Sequence, residues 1–252
     1  MAYDLISFDL DGTLVDTAAE IAEAVNRALE SHGMARRPVP QITNLIGAGT
    51  RDLMLALLAR CLLEQPALAD TVSVEGVLAS MDEHYAALAG SSALAYAGCS
   101  AALTRLRSAG LLLACVTNKE HHHAMRVLHA TGLAGHFELV IGGDSLPEKK
   151  PHASVLRHVA AALGASTART AHVGDSATDV AAARNAGVAA WAVPYGYNAG
   201  VPIAQAQPQR VFASLAQVAE HVLAGRALEL GEAESLPASG TLLGRAASIP
   251  AR

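Results

Sequence analysis

The sequence predicts an α/β fold, a Rossmann-like and mostly parallel sheet that carries a small helical cap inserted after its first strand. Three observations carry this reading. Short apolar runs recur along the chain, each followed by a turn and a helical stretch, as strand–helix–strand units require. The run 111–116, Leu-Leu-Leu-Ala-Cys-Val, is continuously apolar and suits a strand buried on both faces. One long region, 17–93, breaks the alternation and reads as helices alone.

The first strand is Leu5–Phe8. In the helical region, Ile21-Val25-Leu29 and Leu53-Leu57-Leu58 form the i, i+4 rows of amphipathic helices, separated by prolines 38 and 40 and glycines 47 and 49. Beyond it the alternation resumes: helix 99–109, strand 111–116, helix 122–131, strand 139–142, helix 153–163, strand 171–173, helix 179–186 and strand 189–193. Gly110, Gly132, Gly164 and Gly187 each follow a helical stretch as carboxy-terminal caps. From 225 onward the weak periodicity reads as a flexible tail. The expected organisation is a core of 1–16 and 94–224, a cap of 17–93 and a tail of 225–252.

The chain has 252 residues, 52% of them hydrophobic and 16% charged, with a net charge of −5. That profile is globular, and its lack of a basic block argues against nucleic acid and anionic membrane surfaces as partners. No leader-like segment or run long enough to span a bilayer is visible, so the expected location is cytoplasmic. Cys61, Cys99 and Cys115 are widely spaced and form neither a zinc pattern nor a disulfide framework. Oligomeric state is not written in the sequence; the cap surfaces suit a homodimer or no partner at all.

Ligands of open parallel sheets bind beyond the carboxy ends of the strands. There this chain places Asp9 and Asp11, then Thr117-Asn118-Lys119, then Lys149-Lys150-Pro151, then Asp175 with Asp179 a helical turn later. A strand-end carboxylate can attack phosphorus and divide a hard hydrolysis into two easier steps, which makes Asp9 the candidate nucleophile. Asp11 faces the same site if the chain bends at Leu10, and can move protons to the leaving oxygen and from water. Asp9, Asp175 and Asp179 together form a hard oxygen site suited to Mg²⁺. The Thr117 hydroxyl and backbone N–H groups around Asn118 can hold phosphoryl oxygens, with a lysine near 150 adding charge.

The same positions also admit other readings. Thr117-Asn118 also suits a helix N-cap, and Asp175 a cap for the helix carrying Asp179. Lys119 and Lys149 read as solvated. Consecutive histidines on a helix point in different directions and cannot share one ion without other ligands, so His121-His122-His123 reads as an exposed helix start. Gly47-Ala48-Gly49 reads as a cap loop facing the substrate. Arg51 either meets a substrate carboxylate or is an ordinary exposed helix residue.

The stretch 8–17, Phe-Asp-Leu-Asp-Gly-Thr-Leu-Val-Asp-Thr, resembles the first motif of the haloacid dehalogenase superfamily. Val116-Thr117-Asn118-Lys119 is similar to its second, Lys150-Pro151 to its third and Gly174-Asp175-Ser176-Ala177-Thr178-Asp179 to its fourth, in the family's order. The resemblance implies Asp9 as nucleophile, Asp11 as acid/base and Lys150 as the phosphate and nucleophile partner. It also implies Mg²⁺ held by Asp9, the Asp11 backbone carbonyl and Asp175, with Asp179 supporting. Within the superfamily the phosphoglycolate phosphatase subfamily is similar at Gly142-Gly143-Asp144-Ser145-Leu146-Pro147, Lys149-Lys150-Pro151-His152 and Tyr195-Gly196-Tyr197-Asn198. Ala153 and Glu120 stand where that subfamily has proline, and Ala97-Gly98 replaces its Pro-Gly.

The expected activity is therefore Mg²⁺-dependent hydrolysis of a small phosphorylated metabolite, 2-phosphoglycolate first, through an aspartyl-phosphate. A phosphosugar mutase would call for more cap residues than Arg51 alone. Phosphatases of other specificity and pyrophosphatases remain alternatives. A carbon–halogen hydrolase has no need of Asp11, and a non-catalytic binding module is expected to lack catalytic residues that are all present here.

Overall fold

A computed structural model describes residues 3–234. Strand β1 (Leu5–Phe8) runs into a tight turn and a short strand β2 (Val15–Asp16). Helices α1 (Ala18–Ser31), α2 (Val39–Thr43), α3 (Thr50–Glu64) and α4 (Val74–Leu88) follow, and β3 (Leu94–Ala95) pairs back antiparallel on β2. The chain then alternates through α5 (Cys99–Ser108), β4 (Leu112–Val116), α6 (His121–Ala130), β5 (Leu139–Ile141), α7 (Ala153–Ala162), β6 (Thr170–Gly174), α8 (Ala177–Ala186), β7 (Ala189–Ala192), β8 (Arg210–Val211) and α9 (Leu215–Glu234).

The sheet has six strands in the order β5-β4-β1-β6-β7-β8, and every pairing is parallel. Side chains on a strand alternate between faces. Ile6 and Phe8 join the layer of α5, α6 and α9, whereas Leu5 joins that of α7 and α8. Both faces of β1 are thus covered, which accounts for its unbroken apolar character. Successive connections leave β1 toward β4 on one side and β6 on the other, so a crevice opens beyond the carboxy ends of these three strands.

The helices α1–α4 form their own apolar cluster, and the expected rows Ile21-Val25-Leu29 and Leu53-Leu57-Leu58 are buried in it. The β2–β3 ribbon joins this cap to the sheet. Strands of two residues are too short to show an alternation, so β2, β3 and β8 were not legible in the sequence. Helix α9 continues to Glu234, which corrects the expected tail from 225; the remainder of that expectation lies outside the described residues. Among the described residues no helix is long and apolar enough to cross a membrane.

Candidate active site

Asp9 follows β1 directly, and its backbone N–H donates to the Val173 carbonyl at 2.9 Å, so the sheet ladder itself aims the residue. Gly12 makes the turn possible: its φ is +82°, and a Cβ there would overlap the Asp175 carboxylate. Asp175 directly follows β6, where its Oδ1 accepts from the Thr13 hydroxyl at 3.0 Å and its Oδ2 from the Tyr197 N–H at 2.7 Å. Ser176, rather than Asp175, caps α8, in a capping box closed by Asp179.

Lys150 is buried among the carboxylates. Its Nζ donates to the Val116 carbonyl and to Asp179 Oδ1, each at 2.7 Å, and lies 2.9 Å from Asp9 Oδ1 as an ion pair. That ammonium is the partner found for the buried Asp9 Oδ1 among the described residues. Asp179 also receives the Ser176 hydroxyl at 2.6 Å and lies 3.3 Å from His172 Nε2, whose other ring nitrogen is 2.9 Å from the Ser7 hydroxyl. Burial keeps His172 below its ordinary pKa, so this fully enclosed ring is a neutral prop beneath the site.

Oxygens of Asp9, Asp175 and Asp179 lie within 4.8 Å of one another. These buried carboxylates bring more negative charge than one ammonium offsets. Burial accordingly pushes Asp9 up to about 7 despite Lys150, and Asp175 well above the carboxylate range. For Asp179 burial acts in the same direction, but the Lys150 charge and hydrogen bonds from His172 and Lys150 outweigh it and hold the carboxyl low. An all-oxygen cluster of three buried carboxylates with surplus negative charge fits a hard divalent cation.

Asp11 faces the cap. Its Oδ1 accepts from the Thr17 hydroxyl at 2.6 Å and lies 2.7 Å from Lys119 Nζ. Lys119 also donates to the Tyr85 hydroxyl, which in turn donates to Glu20 Oε1 at 3.1 Å. Both Tyr85 and Glu20 belong to the cap and are buried. Because the Thr17 hydroxyl is committed to Asp11, the amino terminus of α1 has no cap from its own N-cap residue. The Tyr197 hydroxyl takes that place, accepting from the N–H groups of Thr17 at 2.8 Å and Ala18 at 3.1 Å while donating to Asp16 at 2.6 Å. Tyr197 therefore touches the Asp175 carboxylate with its backbone and the root of the cap with its ring.

The pocket over Asp9 and Asp11 is walled by Thr117, Asn118 and Lys119 from the core and by Ile21, Ile46, Gly47, Gly49, Thr50 and Leu53 from the cap. Its cavity is ≈ 20 Å³. One water needs roughly 10–15 Å³ on that scale, so the cavity beneath the cap is about water-sized. Polar struts hold the cap in this position. Asn118 Nδ2 donates to the Gly47 and Lys150 carbonyls, Thr50 donates to Glu120 at 2.6 Å, and Lys149 pairs with Asp52 at 2.7 Å.

Residues 3–187 match the family pattern of the haloacid dehalogenase-like hydrolases. The chain belongs to this family. It is 34% identical over 224 residues to the phosphoglycolate phosphatase of Psychrobacter arcticus, an alignment covering 88% of this chain and 97% of that protein. With the plasmid phosphoglycolate phosphatase of Cupriavidus necator it shares 41% identity over 192 residues, 76% of this chain and 81% of the relative. The crystal structure of a predicted phosphoglycolate phosphatase from Haemophilus somnus superposes with a TM-score of 0.81 at 30% identity, covering 86% of this chain and 97% of that one.

In this haloacid dehalogenase-like hydrolase the strand-end residues Asp9, Lys150, Asp175 and Asp179 converge, and Asp11, Thr117 and Asn118 share the pocket above them. Gly47 lines the pocket as well, but Arg51 does not. It is exposed and faces a neighbouring cleft with Glu75, Asp82 and Glu120. The expectation of a solvated Lys119 is also corrected, since its side chain is 0% exposed. His121 and His122 are exposed as expected of a helix start, whereas His123 is buried with Nε2 2.9 Å from Asp82 of the cap. Lys119, Tyr85, Glu20, His172 and Tyr197 escaped the sequence reading. Lys119 and Tyr197 carried a local signal, as parts of the Val116–Lys119 and Tyr195–Asn198 stretches.

Proposed function

We propose that this hydrolase cleaves 2-phosphoglycolate to glycolate and phosphate through an aspartyl-phosphate on Asp9. The observation that carries the reading is the pairing of two carboxylates with different surroundings in one pocket. Asp9 sits over the buried carboxylate–lysine cluster, and Asp11 faces the cap between Thr17 and Lys119. Asp9 attacks phosphorus as the ester oxygen departs with a proton from Asp11. Asp11 then takes a proton from water, which attacks the phosphoryl group and releases phosphate from Asp9. The Thr117 hydroxyl and the backbone N–H groups near Asn118 hold phosphoryl oxygens, and Lys150 offsets charge beside the nucleophile. Asp9, the Asp11 carbonyl and Asp175 are the residues that would hold Mg²⁺, with Asp179 behind them. Bound there, the ion lets an anionic nucleophile approach an anionic ester. The named substrate is supported by the relatives called phosphoglycolate phosphatases.

A panel of phosphate esters with added Mg²⁺ tests the reading. Catalytic efficiency on 2-phosphoglycolate should exceed that on sugar phosphates, nucleoside monophosphates and pyrophosphate by about tenfold or more. Flat efficiencies would remove the named substrate, and phosphoryl transfer to a phosphosugar would point to a mutase.

The same reading predicts a pH-dependent metal affinity. A protonated carboxyl does not hold the ion, and burial pushes Asp9 up to about 7 and Asp175 well above the carboxylate range. Mg²⁺ affinity should therefore rise with pH through neutrality, by up to about tenfold per unit for each proton released. Calorimetric titration across neutral pH reads this directly; a flat affinity would contradict it.

A further inference from the structure

We infer that Lys119 recognises a second anionic group on the substrate, a carboxylate borne on the carbon next to the ester oxygen, and that Tyr85 of the cap completes this subsite. The inference rests on the phosphatase reading given above and assigns the residue that selects among phosphate esters.

Among the residues lining the pocket, Lys119 is the cationic one, since Arg51 lies outside it. A buried carboxylate is tolerated only beside a charge or several donors. Lys119 offers three N–H donors on one ammonium, and among the described residues its acceptors are Asp11 Oδ1 and the Tyr85 hydroxyl. One donor therefore remains for a ligand. Nζ also lies 4.6 Å from the Tyr85 ring centroid, so the cap both shields the charge and keeps it in place. Glu20 accepts from the Tyr85 hydroxyl and fixes that ring from behind.

The order of groups across the pocket matches the order of groups in such a substrate. Asp9 takes the phosphoryl group and Asp11 serves the ester oxygen. Lys119 Nζ lies 2.7 Å from Asp11 Oδ1, so a charged group one carbon away from an ester oxygen served by Asp11 comes within reach of the ammonium. The apolar side chains of Ile21, Ile46 and Leu53 enclose the carbon between them. A longer sugar phosphate would put a neutral hydroxyl against a buried ammonium, which gains less than a charge-assisted bond.

Efficiencies on 2-phosphoglycolate and on 2-hydroxyethyl phosphate, its uncharged counterpart of similar size, form the test. The full-length wild type in Mg²⁺ should favour the carboxylated ester by about tenfold to a hundredfold, the range of one charge-assisted contact. Lys119→Met should collapse that ratio toward one, chiefly through KM, and Lys119→Arg should restore most of it. A wild type that treats both esters alike overturns the inference while leaving phosphatase activity standing. Equal losses on both esters in Lys119→Met also overturn it, because the lysine would then act only through Asp11. Release of phosphate from neither ester by the wild type would instead overturn the phosphatase reading itself.

Discussion

Asp9→Asn lowers turnover by at least about a thousandfold, since no other group stands at the attacking position. The amide is nearly isosteric, but its nitrogen or oxygen cannot form the acyl-phosphate. The fold should survive the change. Asp9 is buried, and burial already drives its carboxyl up to about 7, so the metal-free protein bears this charge at a cost. A carboxyl whose folded pKa lies above its unfolded value lowers stability at neutral pH, and the uncharged amide does not carry that cost. The metal-free variant should therefore melt at or above the wild-type temperature, while the upward shift on adding Mg²⁺ shrinks. Phosphate release with thermal melts, each with and without Mg²⁺, checks both halves. Activity above about a tenth of wild type would show that Asp9 is not the nucleophile.

Lys150→Met should have the opposite signature, losing activity and stability together. The lysine is the ammonium buried between Asp9 and Asp179, and it also donates to the Val116 carbonyl at 2.7 Å. Methionine fills similar space but leaves those carboxylates without a counter-charge and the carbonyl without its donor. Breaking a buried ion pair from one side costs about 3–5 kcal/mol. The pH dependence of the loss follows from Asp179, whose folded pKa Lys150 helps to hold below its unfolded value. A depressed carboxyl contributes stability above its unfolded pKa and loses it as pH falls through the folded one. The gap between wild type and Lys150→Met should thus be widest near neutrality and narrow in acid, below about pH 4. Denaturant melts across that span measure it; a constant gap would mean that Lys150 acts by packing alone.

The pattern of the candidate site was legible because its parts are local. Asp9 and Asp11 sit two positions apart in one turn, and Asp175 and Asp179 one helical turn apart, so spacing alone places each pair. Continuous apolar runs marked the parallel strands for the same reason: both faces of β1 and β4 are buried, and hydrophobicity records burial directly. Where an element was too short to carry a period, as in the β2–β3 ribbon, the sequence had no signal to offer.

Residues whose meaning comes from distant partners were a different matter. Lys119 was read as solvated because a lysine after a strand end looks the same in sequence under water or under a cap. Its ammonium meets Tyr85, 34 positions away, and Tyr85 meets Glu20, 65 positions away. Tyr197 reaches Asp16 across 181 positions to cap a helix that its own N-cap residue leaves open. Arg51 was open to two readings for the converse reason, since helical spacing does not reveal which face of α3 the core will cover. The sequence by itself determined the parallel α/β sheet, the helical insert and the strand-end carboxylates and lysine, because each is written in short-range spacing. Only the tertiary structure decided that Lys119 is buried beside Asp11, that Arg51 lies outside the pocket and that Tyr197 joins Asp175 to the cap. Those outcomes depend on burial and charge pairing between segments that meet only when the cap sits on the sheet.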